Sequence, residues 1–154
     1  MSRAFIREQD AEIFEPLPDR PVSEQPNNVT PEGMAQIEAK IKAEQDAFSK
    51  AQSSDDRGAM AVASRELRYW NSRRATARII EAPPAGDAVR FGSTVKIQRD
   101  DGRQQTFRIV GEDEANPSNG TISHASPLAR ALFGKSVGEI GRLANHEIEI
   151  LAVT

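Results

Sequence analysis

The chain has 154 residues, 38% of them hydrophobic and 28% charged, which allows one ordinary domain or two small units and excludes a large multidomain enzyme. With no cysteine and only His124 and His146 as histidines, it has no disulfide, thiolate metal site, cysteine nucleophile or histidine-rich metal centre. The net charge of −3 hides a segregation: residues 1–56 carry six basic and twelve acidic side chains, residues 57–81 carry six and two, and residues 82–154 carry eight and nine. An acidic-to-basic switch therefore sits in the first half.

Residues 1–8 meet acidic side chains before any apolar run develops, so no signal peptide is expected. The longest wholly apolar run, residues 59–63, is far too short for a membrane span, and the expectation is a cytoplasmic protein without membrane contact. Residues 1–29 contain Pro16, Pro18, Pro21 and Pro26 without sustained periodicity and read as an extended or disordered arm. Thr30-Pro31-Glu32 then supplies a capping hydroxyl, a proline suited to the first helical position and a carboxylate for the positive end of the helix dipole. Met34, Ile37, Ile41, Phe48 and Ala51 recur at helical spacing, with Glu38, Lys40, Lys42 and Asp46 on the outer face. The stripe is as narrow as that of a coiled-coil arm.

The run 52–58, Gln-Ser-Ser-Asp-Asp-Arg-Gly, is a turn, and beyond it Met60, Ala63, Leu67, Trp70 and Ala77 restore an apolar stripe up to about Glu81. Two helices of similar length around a polar turn predict an antiparallel hairpin over residues 30–82. Pro83-Pro84-Ala85-Gly86 ends the second helix, because neither proline offers a backbone donor, and places a domain boundary there.

From Val89 the period changes to two. The segments 94–99 and 104–110 alternate around Asp100-Asp101-Gly102-Arg103, a hairpin-turn signal. Ser126-Pro127 followed by Gly134 brackets a short helix, and residues 147–153 read as a closing strand. Residues 83–154 thus predict a small antiparallel sheet crossed by one short helix, and the whole chain an α+β fold.

The order of these elements, together with four local strings, resembles the Gre family of bacterial transcription elongation factors. The strings are Val29-Thr30-Pro31-Glu32-Gly33-Met34, Phe91-Gly92-Ser93-Thr94-Val95, Ile109-Val110-Gly111-Glu112-Asp113-Glu114-Ala115, and the run from Ser126 to Lys135. The resemblance covers about 120 residues. It implies an FKBP-like C-terminal domain that grips the rim of the secondary channel of bacterial RNA polymerase, and a helical hairpin inserted into that channel. It further implies a monomer that is not itself an enzyme and that modulates pausing and backtracking, with or without stimulation of the polymerase's own transcript cleavage. Ser126, Pro127, Leu128 and Arg130 match the polymerase-binding string. The alternative is a coiled-coil protein-interaction module outside transcription.

Two departures from the family pattern bear on mechanism. The acidic string at the family's hairpin tip, which helps hold a Mg²⁺ at the polymerase active site, is absent here, and Asp55 and Asp56 are the acidic pair nearest the expected tip. The hairpin also looks short by about twenty residues, or roughly three helical turns per arm, ~16 Å. Asp55 and Asp56 could share the polymerase's Mg²⁺ or could cap the second helix. Arg65, Arg68, Arg73, Arg74 and Arg78, placed on one helix, could line the path of nascent RNA or form a solvated face paired with Glu38, Glu44 and Asp46. Tyr69 and Trp70 could stack bases, but Trp70 falls on the apolar stripe and reads as core. The run Glu112-Asp113-Glu114 reads as a solvated turn, and His124 as a surface or packing residue. A prolyl isomerase built on the same fold would need an aromatic-walled pocket, for which residues 82–154 supply only Phe91, Phe107 and Phe133.

Overall fold

The computed structural model describes residues 15–154, which cluster into two units, residues 15–24 with 37–76 and residues 25–36 with 77–154. In chain order the elements are β1 (Asn28–Val29), α1 (Pro31–Ser53), α2 (Arg57–Thr76), β2 (Arg78–Ile79), β3 (Thr94–Arg99) and β4 (Gln104–Val110). There follow a 3-10 turn (Pro117–Asn119), β5 (Thr121–Ser123), α3 (Pro127–Leu132), β6 (Ile140–Leu143) and β7 (His146–Val153). The fold is α+β, a helical pair and a curled sheet with one short helix. Residues 1–14 of the expected arm lie outside the described residues. Among the described residues no helix is long and apolar enough to cross a membrane.

In the first unit the stripe of α1 is buried as its spacing predicts, at Ile37, Ile41 and Ala51, with Phe48 half-buried and Glu38, Lys40, Lys42 and Asp46 exposed. The dipole is matched at both ends, by Glu32 in the first turn and Lys50 in the last. The chain then reverses in three residues. The Asp56 N–H donates to the Ala51 carbonyl at 2.8 Å and the Asp55 N–H to the Gln52 carbonyl at 3.2 Å, the paired bonds of a Schellman motif. Asp55 takes the left-handed position of that motif, with φ of 53°. Asp56 at once becomes the N-cap of α2, its Oδ1 accepting from the Ala59 N–H at 3.0 Å.

The buried residues of α2 are Ala61, Ala63 and Arg73, while Leu67 and Trp70 are only half-buried. The expectation of Trp70 as a sealed core residue is corrected by its neighbours. Its ring packs edge-on to Tyr69 with centroids 4.9 Å apart, and the Arg20 guanidinium lies 5.7 Å from it and 3.8 Å over Tyr69. Arm residues 15–27 contain neither helix nor strand, β1 lying at the end of the expected arm, and the stretch is held against α2 by the Arg20–Glu66 pair at 2.6 Å and the Asp19–Arg68 pair at 2.5 Å.

The predicted extension of α2 to Glu81 does not occur. The helix stops at Thr76, and Arg78–Ile79 forms β2, paired in parallel with β1. The Arg78 N–H donates to the Asn27 carbonyl and the Ile80 N–H to the Val29 carbonyl, both at 2.9 Å, and β-branched Ile79 and Ile80 favour that extended backbone. A bridge to residues fifty positions earlier leaves no local trace in sequence.

The second unit is built on a five-stranded sheet ordered β5-β4-β3-β7-β6. Its pairs are antiparallel except at one edge, where β4 and β5 run parallel. The β3–β4 hairpin forms as predicted, with one refinement. Only Gly102 of its turn has positive φ, and the Gly102 N–H donates to the Arg99 carbonyl at 2.9 Å, so the connection is a three-residue loop closed by a glycine bulge and not a two-residue turn. Val95 and Ile97 of β3, Ile109 of β4, Ile122 of β5 and Ile148, Ile150 and Val153 of β7 alternate inward, and Ala129 and Leu132 of α3 close over them with Val89. At Gly141 of β6 an added Cβ would lie 2.6 Å from the Ala131 carbonyl, so the absent side chain is what lets α3 approach that strand.

Candidate functional site

Three clusters carry the residues singled out from sequence, and each is fixed by local backbone chemistry. At the hairpin tip both Asp55 and Asp56 are exposed. Asp56 is committed to capping α2, whereas Asp55 sits at a backbone corner that favours glycine. No group of three or more His, Asp or Glu side chains placed to hold a metal ion exists among the described residues. Two adjacent carboxylates, one of them engaged by a backbone N–H, do not by themselves make a Mg²⁺ site, so a metal at this tip would need ligands from elsewhere.

The five arginines do not form one face. Arg78 lies on β2 and not on the helix, and Arg73 is 2% exposed, so neither belongs to an open basic face. At 100° per residue Arg65 and Arg68 are neighbours on α2, and Arg74 lies half a turn round from Arg65. Arg65 reaches Glu66 at 3.6 Å, and Arg74 lies 3.4 Å from the Asn71 side-chain oxygen. The Arg68 guanidinium is the most heavily engaged: Nε donates to Asp19, one terminal nitrogen to the Leu17 carbonyl at 3.0 Å and the other to Ser64 at 3.0 Å. Arg68 thus pairs with Asp19 of the arm and Arg65 with Glu66 of its own helix.

On the sheet unit, Ser126 caps α3 by accepting from the Ala129 N–H at 3.2 Å, Pro127 takes the first helical position, and Gly134 follows the helix end with φ of 78°. Pro127 and Arg130 are exposed, while Leu128 packs against the core and divides its surface between the two. The rigid cap and the fixed proline ring present Pro127 and Arg130 on one short, pre-ordered ledge. His124 packs edge-on to Phe91 with centroids 5.6 Å apart, a packing residue as its setting in the sequence suggested.

One residue that the sequence reading set aside is central. Glu114 does not sit in a solvated turn: its Oε2 accepts from the Thr30 N–H at 3.0 Å and from the Gly111 N–H at 3.1 Å, and its Oε1 accepts from the Thr30 hydroxyl. Thr30 is fully buried and its hydroxyl in turn accepts from the Gly33 N–H at 3.0 Å, so one carboxylate completes the N-cap of α1. The signal available in sequence was glycine itself. A Cβ on Gly33 would lie 2.1 Å from the Glu114 carboxylate, and one on Gly111 2.6 Å from the Asn28 carbonyl. Next to this cap, Glu32 is held below the usual carboxylate range, first by a backbone N–H, then by the Thr30 side chain and by Arg108, whose guanidinium lies 3.6 Å away.

Residues 83–154 match the family described as "Transcription elongation factor, GreA/GreB, C-term". Transcription elongation factor GreA of Rhodospirillum rubrum is 35% identical over 131 residues, covering 72% of this chain and 83% of that protein. GreA of Desulfovibrio desulfuricans is 40% identical over 80 residues, and GreB of Neisseria meningitidis 42% over 95. The chain spans 49% of the first of these two and 58% of the second, about half the length of each. Among solved structures, the GreA factor homolog 1 of Thermus thermophilus aligns over 84% of this chain and 99% of its own, at 21% identity and a TM-score of 0.40.

Proposed function

This chain belongs to the GreA/GreB family of transcription elongation factors, and on that premise we propose that it binds RNA polymerase as a monomer and acts at the secondary channel without catalysing a reaction of its own. The observation that carries this reading is the 35% identity to a GreA, in an alignment that covers 72% of this chain and 83% of that protein. The ledge of Ser126, Pro127, Leu128 and Arg130 is the docking surface, since it offers a rigid backbone, an exposed ring and an exposed guanidinium on an element anchored in the core. The hairpin enters the channel tip first, and Arg65 and Arg68 face nascent RNA.

The same reading makes the protein an occupant of the channel and a poor stimulator of transcript cleavage. Helices of 23 and 20 residues extend about 35 and 30 Å. Of the two tip carboxylates, one is engaged in the helix cap. The test is a transcript-cleavage assay on a backtracked complex with the cognate polymerase, run alone and in competition with a full-length GreA. The expected result is cleavage near the intrinsic rate together with loss of GreA-stimulated cleavage as this protein is added. Cleavage raised about tenfold, ~1.4 kcal/mol of barrier, and abolished by Asp55→Asn with Asp56→Asn, would make the tip a Mg²⁺-sharing pair and overturn the occlusion reading.

A further inference from the structure

We propose that the proline-rich arm at residues 15–24 is a built-in cover over the basic, aromatic face of α2, and that it regulates access of single-stranded RNA to that face. The proposal rests on the reading of Arg65 and Arg68 as RNA-facing residues and adds to it the element that controls them.

The arm fills the places that a nucleotide would take. Arg68 grips phosphate oxygens best through two donors of its planar fork, and here those donors are taken by the Asp19 carboxylate and, at 3.0 Å, by the Leu17 carbonyl. The neighbouring aromatic surface is where a base would stack, and the flat Arg20 guanidinium already lies 3.8 Å above the Tyr69 ring, beside Trp70. Acid and planar cation stand side by side, as phosphate and base do in a nucleotide. Glu66 accepts from a terminal nitrogen of that same guanidinium at 2.6 Å and fixes the register of the arm.

The cover is also displaceable. Pro16, Pro18 and Pro21 restrict an arm that contains neither helix nor strand, so little conformational freedom is lost when it lies along a helix, and no ladder of backbone bonds must break when it leaves. The Asp19 and Arg68 side chains are 73% and 40% exposed, so their attraction is screened and a polyanion can replace the carboxylate. The arm is acidic, with Glu15, Asp19 and Glu24 against Arg20, whereas residues 57–81 carry six basic and two acidic side chains.

The experiment uses the full chain, a short fluorescein-labelled oligouridylate at low ionic strength, and no polymerase. Trp70 is the sole tryptophan of the chain, so its emission reports on the covered face directly. A cover closed in about nine molecules of ten weakens apparent affinity about tenfold, so Asp19→Ala with Arg20→Ala should bind the RNA about tenfold more tightly than the parent. Trp70 quenching should shift to the same lower RNA concentration, and adding Arg68→Ala should remove the gain. Parent and double variant binding RNA equally well would overturn the cover and leave the RNA reading standing. If neither binds, while far-ultraviolet circular dichroism shows both folded, the cover and the RNA reading fall together. Should the double variant lose helix, Asp19→Asn alone, which keeps the Arg20 stack, takes its place with an expected gain of about threefold. An unchanged affinity there overturns the proposal.

Discussion

In the sheet unit, branched aliphatic side chains from β3, β4, β5 and β7 meet Ala129 and Leu132 of α3 and are sealed from water, whereas the sealed residues of the hairpin are Ile37, Ile41 and Ala51 of α1 and Ala61, Ala63 and Arg73 of α2. Burial stabilises in proportion to apolar area, so the first set contributes several times more per residue than the alanines of the second. The sheet unit can therefore tolerate an exposed ledge at Pro127 and Arg130, because the helix beneath that ledge is anchored by its own buried face. The hairpin has little such reserve. It is held by end-caps, a few aliphatics and the polar contacts of the arm, a construction suited to a thin probe and sensitive to changes at its ends.

The largest test of this contrast lies in the core. Ile148→Ala should cost about 3–4 kcal/mol in urea unfolding, because its side chain is fully buried between strands and the vacated space cannot close. Trp70→Ala should cost only about 1–2 kcal/mol, since that side chain is only partly buried, and a loss comparable to that of Ile148→Ala would mean that the hairpin has a sealed core after all.

Between these lies Glu114. Glu114→Ala removes the acceptor for the Thr30 and Gly111 N–H groups and for a buried hydroxyl, and should cost about 2–3 kcal/mol, read as a lowered urea midpoint. Gly33→Ala should destabilise by the same route, with the carboxylate forced aside. Glu32 adds a pH dependence of definite sign. Its carboxyl is held below its ordinary value in the folded chain, so its contribution is present above the unfolded pKa and is lost as pH falls through the lower folded value. In Glu32→Gln the acid limb of the stability curve should flatten, and an unchanged limb would show that the cap acts without charge.

The same contrast explains what the sequence made visible. The caps at Thr30 and Ser126, the stripe of Ile37 and Ile41, the Asp-Gly turn and the Gly134 stop depend on residues within a turn or two of each other, so spacing alone reveals them. Glu114 acts on a threonine 84 positions away, and β1 meets β2 across fifty. The Asp19–Arg68 pair, 49 positions apart, turned a basic cluster into a covered one. Short strands β5 and β6 were missed because a three- or four-residue edge segment carries too few alternations to register. The α3 ledge was legible because it is a local cap. The standing of each arginine was not, because burial of Arg73 and the strand at Arg78 are decided by tertiary contacts.

The smallest effects are expected at the tip, where two adjacent aspartates should respond with opposite signs. Asp56 accepts the Ala59 N–H and caps α2, so Asp56→Ala leaves that donor to water and should destabilise by about 1 kcal/mol. Asp55 occupies the left-handed corner of the Schellman turn, at φ of 53°, where a Cβ crowds the following carbonyl. Asp55→Gly removes the crowding and, after the larger freedom of glycine in the unfolded chain is discounted, should stabilise by about 0.5 kcal/mol. Thermal melts of the two single variants, with a third carrying Asp55→Ala, separate backbone from charge. Asp55→Ala keeps the Cβ and should give no gain. A gain equal to that of glycine would place the strain in carboxylate repulsion between the two neighbours and remove the conformational argument for that corner.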